Sequence, residues 1–215
     1  MIRTALLALL VLLPVATAAM DFSSWKEQRF SLFSGNSYQK KTNEVVLRSD
    51  GTVSLIWSPV PAEIRQATTA TWHWNVTTSV LATDLTRKGG DDRNIALYFV
   101  FAPGKDISKA QNTNIKHLMS APSTRVLMYV FGGAHQRGDI LPSPYLKDLG
   151  KTVVLRPAGT GSFTETVDLA RDYYKTFGQT KPPLAGLAIS ADSDDTGGTV
   201  VARLSDLVID LFVVE

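Results

Sequence analysis

Polar and apolar side chains alternate along most of this chain, the period-two pattern of strands that bury one face. Val45 to Arg48 and Thr52 to Trp57 flank Ser49-Asp50-Gly51. Asp and Gly there supply the backbone angles of a tight turn, so the pattern predicts a hairpin. Thr71-Trp72-His73-Trp74-Asn75-Val76 alternates strictly. Trp72, Trp74 and Val76 therefore point to one face, and Thr71, His73 and Asn75 to the other. Two indoles beside a β-branched residue read as core; the competing reading is a platform on which sugar rings stack. Further strands are expected at Ile95 to Phe101, Val126 to Phe131, Thr152 to Leu155, Leu184 to Ser190, Thr199 to Leu204 and Leu207 to Val213.

One segment has helical spacing. Ser162-Phe163-Thr164-Glu165 fits a capping box, and Val167, Ala170, Tyr173, Tyr174 and Phe177 follow before Gly178. These predict a helix from about Glu165 to Phe177, stopped at the glycine. Strands before and after a single helix lack the βαβ rhythm of a parallel sheet. The expected fold is mainly β, a two-sheet antiparallel sandwich with one principal α-helix.

The first residues follow a different rule. Arg3 gives a positive start, Ala5 to Leu13 form an unbroken apolar run, and Pro14 precedes the small residues Ala16-Thr17-Ala18. This is the layout of a secretory signal, and the run is too short for the roughly 20 apolar residues of a membrane span. The expectation is a signal peptide over 1–18 and a single domain over 19–215, exported to the periplasm or beyond, with no membrane span in the mature chain. With 22 Lys+Arg against 20 Asp+Glu, and no cysteine, no nucleic-acid footprint, disulfide framework or thiolate chemistry is implied.

Common catalytic signatures are missing: there is no Gly-x-Ser-x-Gly elbow, no phosphate-binding Gly-x-x-x-x-Gly-Lys loop and no His-Glu-x-x-His pair. His73, His117 and His135 are the available imidazoles, and none has a short metal-ligand spacing to another. Two acidic loops carry more information. Asp84, Asp91 and Asp92 surround Arg87 and Lys88, an arrangement read as a solvated ion network. Asp192-Ser193-Asp194-Asp195-Thr196-Gly197 opens like a calcium loop, which makes Asp192, Asp194 and Thr196 candidate calcium ligands. The match fails where that loop needs its distal glutamate, because Arg203 stands there, so a metal-free turn is the alternative. No other cofactor is implied.

The ordered motifs resemble a known family, the bacterial domain of unknown function family numbered 3047. They are Trp72-x-Trp74-x-Val76, Asp84-Leu85 with Lys88 and Gly90-Asp91-Asp92, Tyr98-x-x-Phe101 and Tyr129-Val130. Ser143-Pro144-Tyr145, Asp172-Tyr173, Phe177-Gly178, Pro182-Pro183, Gly186-x-Ala188-Ile189 and Asp192-x-Asp194-x-Thr196-Gly197 complete the pattern. Two positions depart from it: Ala96, where the family tends to carry arginine, and Asp195, where it tends to carry asparagine. The resemblance implies an exported domain with a layout similar to jelly rolls of lectin and glucanase type, and it supplies no reaction. The leading functional expectation is a domain that binds a glycan or another polar ligand. His73 and Asn75 would bind it from a strand face, with Asp91 and Asp92 at the rim. A polysaccharide-acting hydrolase or lyase, with catalytic residues unassigned, and a structural partner in an envelope complex are the alternatives.

Overall fold

The computed structural model describes residues 17–31, 34–110 and 115–210. The chain forms strands β1 (Thr17–Ala19), β2 (Lys26–Arg29), β3 (Ser37–Lys40), β4 (Glu44–Asp50), β5 (Val53–Pro59) and β6 (Thr69–Thr78). It continues through β7 (Arg93–Phe101), helices α1 (Gly104–Ala110) and α2 (Ile115–Ser120), β8 (Arg125–Phe131) and β9 (Ile140–Ser143). Then come β10 (Lys147–Arg156), β11 (Gly161–Asp168), helix α3 (Leu169–Phe177), β12 (Leu184–Asp192) and β13 (Thr199–Asp210). Residues 1–16 of the expected leader, and the last expected strand beyond residue 210, lie outside the described residues. Among the described residues no helix is long and apolar enough to cross a membrane.

Two sheets face each other, as the alternation predicts. One is ordered β11-β6-β13-β4-β3, with β1 also on β13; the other is β2-β5-β12-β7-β8-β10-β9. Pairing is antiparallel except between β8 and β10, which run parallel. Trp72 and Trp74 are completely buried between the sheets, edge to face with ring centroids 5.4 Å apart. Trp72 also meets Tyr129, and Trp74 meets Phe131, each at 5.7 Å from the opposite sheet. The indoles are core, and the sugar-platform reading of them is overturned.

Three local expectations are corrected by long-range pairing. The strands on either side of Ser49-Asp50-Gly51 exist, but they do not pair with each other: β4 joins β13 and β5 joins β12. The turn, with Gly51 at φ 60°, carries the chain from one sheet to the other. Val45 and Leu47 then reach the core from one side and Ile56 from the other. The helix starts later than its capping box suggests. Gly161 to Asp168 pair residue for residue with Val76 to Thr69, so Ser162 and Glu165 belong to a strand. Asp168 is the N-cap of α3, accepting the Arg171 N–H at 2.8 Å, while Gly178 ends the helix in the left-handed region as expected. The last two expected strands are one, β13, interrupted by a register shift between Ser205 and Val208 where Asp206 takes φ 54°.

The second sheet is buried on both faces. Leu97 and Phe99 of β7 face the other sheet, while Ala96, Tyr98 and Val100 face away from it, and every residue of β12 is buried. Such a strand reads as a continuous apolar run because neither side meets water. The outer face is covered by α1 and α2 through Ile107, Ile115 and Leu118. Beside this cover, near the start of β7 and the end of β12, a cleft opens.

Candidate ligand-binding site

The cleft has a volume of about 350 Å³, within the range of small-ligand pockets. Its polar wall is assembled by sheet register. Arg93, the first residue of β7, sits opposite Asp192, the last residue of β12, so their side chains leave the same face. Arg93 Nη1 donates to Asp91 Oδ2 at 3.0 Å and lies 3.1 Å from Asp192 Oδ2. Its Nη2 donates to the Tyr98 hydroxyl at 3.0 Å, and that hydroxyl lies 2.9 Å from Ser190 Oγ. One largely buried guanidinium therefore orders two carboxylates and a phenol.

The far oxygens of both carboxylates are left over. Asp91 Oδ1 and Asp192 Oδ1 are buried and have no hydrogen-bond donor. Burial pushes the Asp192 carboxyl well above the ordinary carboxylate range. Arg93 opposes the rise, but this single cation also serves Asp91, and the neighbouring Asp194 and Asp91 charges add to it. At the mouth stand two exposed aromatic rings, Phe30 and Tyr145, 49% and 54% accessible. Lys116 lies over the first at 5.0 Å and Lys88 over the second at 5.4 Å. Burial, and then the adjacent Asp91 charge, push the Tyr145 phenol up to about 12.

The residues singled out in the sequence are distributed unevenly about this cleft. Asp91, Asp192 and Asp194 line it. Asp92 is buried behind it, where Oδ2 accepts both the backbone N–H and the hydroxyl of Thr196 while Oδ1 accepts the Asp195 N–H at 3.2 Å. The solvated network expected around Arg87 and Lys88 is not what forms. Asp91 and Asp92 are buried, and Asp84 is exposed and held below the usual range by hydrogen bonds from Thr86. His73 and Asn75 do share a face, as the alternation requires, but it is the outward face of the first sheet. His73 Nδ1 and Nε2 lie 3.1 and 2.9 Å from the hydroxyls of Thr164 and Ser162. The second sheet stands between that face and the cleft, so the four residues do not form one site.

Of the expected calcium ligands, Asp192 pairs with Arg93 and lies beside Asp194, which is exposed at the cleft, while Thr196 turns to Asp92. Among the described residues the carboxylates that converge are Asp92, Asp194 and Asp195. Sequence reasoning missed Arg93, Tyr98 and Ser190 as site residues. A lone arginine directly after two aspartates and before an apolar strand was the available signal. The motifs that carried the family resemblance did point here, because Asp91, Tyr98, Ser143-Pro144-Tyr145, Asp192 and Asp194 all line the cleft. Ala96, a departure from the family pattern, lies on the same outer face, and the arginine at the head of its strand is Arg93.

No curated protein matches the chain in sequence. Among solved structures it is similar to the xyloglucanase domain of NopAA, a type three effector from Sinorhizobium fredii, in complex with cellobiose. That likeness has 9% identity and a TM-score of 0.47, covering 93% of this chain and 97% of that one. It is also similar to a meso-active, thermo-stable cellulase derived from the Cel12A cellulase of Rhodothermus marinus. There the identity is 12% and the TM-score 0.45, covering 92% of this chain and 100% of that one. The family model described as protein of unknown function (DUF3047) matches residues 23–208, a span that includes every residue lining the cleft, and the chain belongs to that family.

Proposed function

We propose that this protein is a non-catalytic binding domain, exported by its leader, whose ligand is a glycan or a similar hydroxyl-bearing molecule held in the cleft on the outer face of the second sheet. One observation carries the reading: Asp91 Oδ1 and Asp192 Oδ1 are buried polar oxygens without a hydrogen-bond partner, side by side on one arginine. A buried polar atom left unpaired is costly, and adjacent sugar hydroxyls, which both donate and accept, partner a carboxylate and a protonated carboxyl alike. Phe30 and Tyr145 at the mouth add faces on which the C–H surface of a sugar ring stacks.

Hydrolysis is disfavoured by the same geometry. Glycosidases place two carboxylates on opposite sides of the scissile bond. Here Asp91 and Asp192 meet on a single nitrogen of Arg93, side by side rather than facing each other across a cleft. Glycan-array binding that is lost in Asp91→Asn supports the proposal. Release of reducing ends from a polysaccharide, abolished by the same substitution, replaces it with the enzymatic reading. Binding lost instead in His73→Ala/Asn75→Ala moves the ligand to the outward face of the first sheet. Intact mass of the exported protein tests the leader: a species that keeps Met1 overturns export by cleavage.

A further inference from the structure

We propose that the ligand of this cleft is a glycoside with an alkyl aglycone, its sugar at the Arg93 end and its chain running along the outer face of the second sheet toward α2. The inference rests on the reading of the cleft as a glycan site and names the class of glycan. The register of the sheet carries it. At the strand ends, Val53, Asp192 and Arg93 form one row across β5, β12 and β7. Two residues further along β5 and β12 the row is Leu55 and Ser190, and the next holds Tyr98 beside Met128. Two residues of strand are about 7 Å, so the surface passes from charged to apolar within the length of one sugar ring.

Met119 of α2 and Leu146 close the apolar part. The polar side chains in that part are few. Ser143 Oγ already accepts the Leu146 N–H at 3.2 Å, and Thr152 is the other. The Ser190 and Tyr98 hydroxyls face each other and Arg93, which turns them toward the charged end.

A free sugar satisfies Asp91 Oδ1 and Asp192 Oδ1 but leaves unfilled the apolar part of the cleft, floored by the buried Leu55 and Met128 and edged by the half-buried Met119 and Leu146. An alkyl chain alone does the reverse, leaving two buried polar oxygens unpaired. Only a ligand with both parts removes both costs. Each methylene taken out of water tightens binding roughly fourfold, so burying two already exceeds tenfold.

The test is calorimetric titration of the full chain with paired methyl and octyl glycosides of glucose, galactose, mannose and N-acetylglucosamine, below micelle-forming concentrations, together with 1-octanol. The expected result is at least tenfold tighter binding of one octyl glycoside than of both its methyl counterpart and octanol. Met119→Ser and Leu146→Ser, each with an unchanged unfolding midpoint, should remove most of the octyl advantage and leave the methyl glycoside as it was. Asp91→Asn should weaken both glycosides. Equal binding of the methyl and octyl forms of one sugar overturns the alkyl aglycone and leaves the glycan site standing. Octanol binding as tightly as every octyl glycoside, or no binding by any compound, overturns both.

Discussion

Asp92 and Thr196 are locked together: the buried carboxylate ahead of β7 accepts the Thr196 backbone N–H at 2.8 Å and its hydroxyl as well. With the Asp195 N–H on its other oxygen, Asp92 fixes the loop that presents Asp192 and Asp194 to the cleft. Hydrogen bonds to a charged group contribute about 1.5 to 3 kcal/mol each, and a donor left buried without a partner costs more than one that reaches water. Asp92→Ala removes three such bonds and should therefore cost about 4 kcal/mol or more in chemical denaturation. Thr196→Val, which removes only the hydroxyl, should cost about half as much. Equal, small effects would show that the loop is held from elsewhere.

Among the described residues, Arg93 is the cation bonded to both Asp91 and Asp192. Breaking a buried ion pair by removing one partner typically costs about 3 to 5 kcal/mol, because the remaining charge is left uncompensated. Arg93→Met should fall in that range. Arg93→Lys should recover only part of the loss, since an ammonium lacks the planar fork that reaches two carboxylates and the Tyr98 hydroxyl together. Unfolding midpoints of the two variants measured side by side decide the matter.

The pH dependence follows from Asp192. Its carboxyl is raised to about 8 in the folded protein, by burial first and then by Asp194 and Asp91, against an ordinary value near 4 in the unfolded chain. Between those values the folded state binds a proton that the unfolded state does not. This group's contribution is thus fully present below about pH 4 and is lost as pH rises through about 8. Thermal stability should fall between pH 5 and pH 9, and Asp192→Asn should flatten that fall. A midpoint that rises across this range in the native protein contradicts the assignment.

Trp74 is fully enclosed, in contact with Trp72 from its own strand and Phe131 from the opposite sheet. Truncation of a buried large aromatic costs about 3 to 5 kcal/mol. Trp74→Ala should lower stability by that amount, while His73→Ala, on the opposite face of the same strand, should cost under about 1 kcal/mol for its two partly exposed hydroxyl contacts. Comparable losses at both positions would contradict the burial of one face only.

Calcium is expected to leave the protein unchanged. Both oxygens of Asp92 are engaged by loop donors, and Asp192 is engaged by Arg93, so the acidic loop has its electrostatics settled by protein groups. Thermal midpoints in millimolar calcium and in chelator should coincide. A higher midpoint in calcium would restore the ion, at Asp92, Asp194 and Asp195, the carboxylates that lie within 4.8 Å of one another.

Whatever depends on neighbours along the chain was legible in the sequence. Alternation is a local property of an extended backbone, so it correctly placed Trp72 and Trp74 on one face and His73 and Asn75 on the other, and it correctly announced a two-sheet sandwich. Gly178 likewise marks its own helix end, because the left-handed conformation there is a property of that residue. Partnership between strands is not local. The turn at Asp50-Gly51 is compatible with a hairpin or with a crossing between sheets, and the choice fell to β13 and β12, which offered β4 and β5 separate edges. The same holds at Ser162 to Glu165, where helical spacing lost to pairing with β6, and at the cleft. Arg93 and Asp192 are far apart in the chain and became neighbours only through the register of β7 and β12. Which side chains share a face is written in the local order of residues along each strand. Which faces meet is not, because hydrogen-bonded register and burial are settled between segments rather than within them.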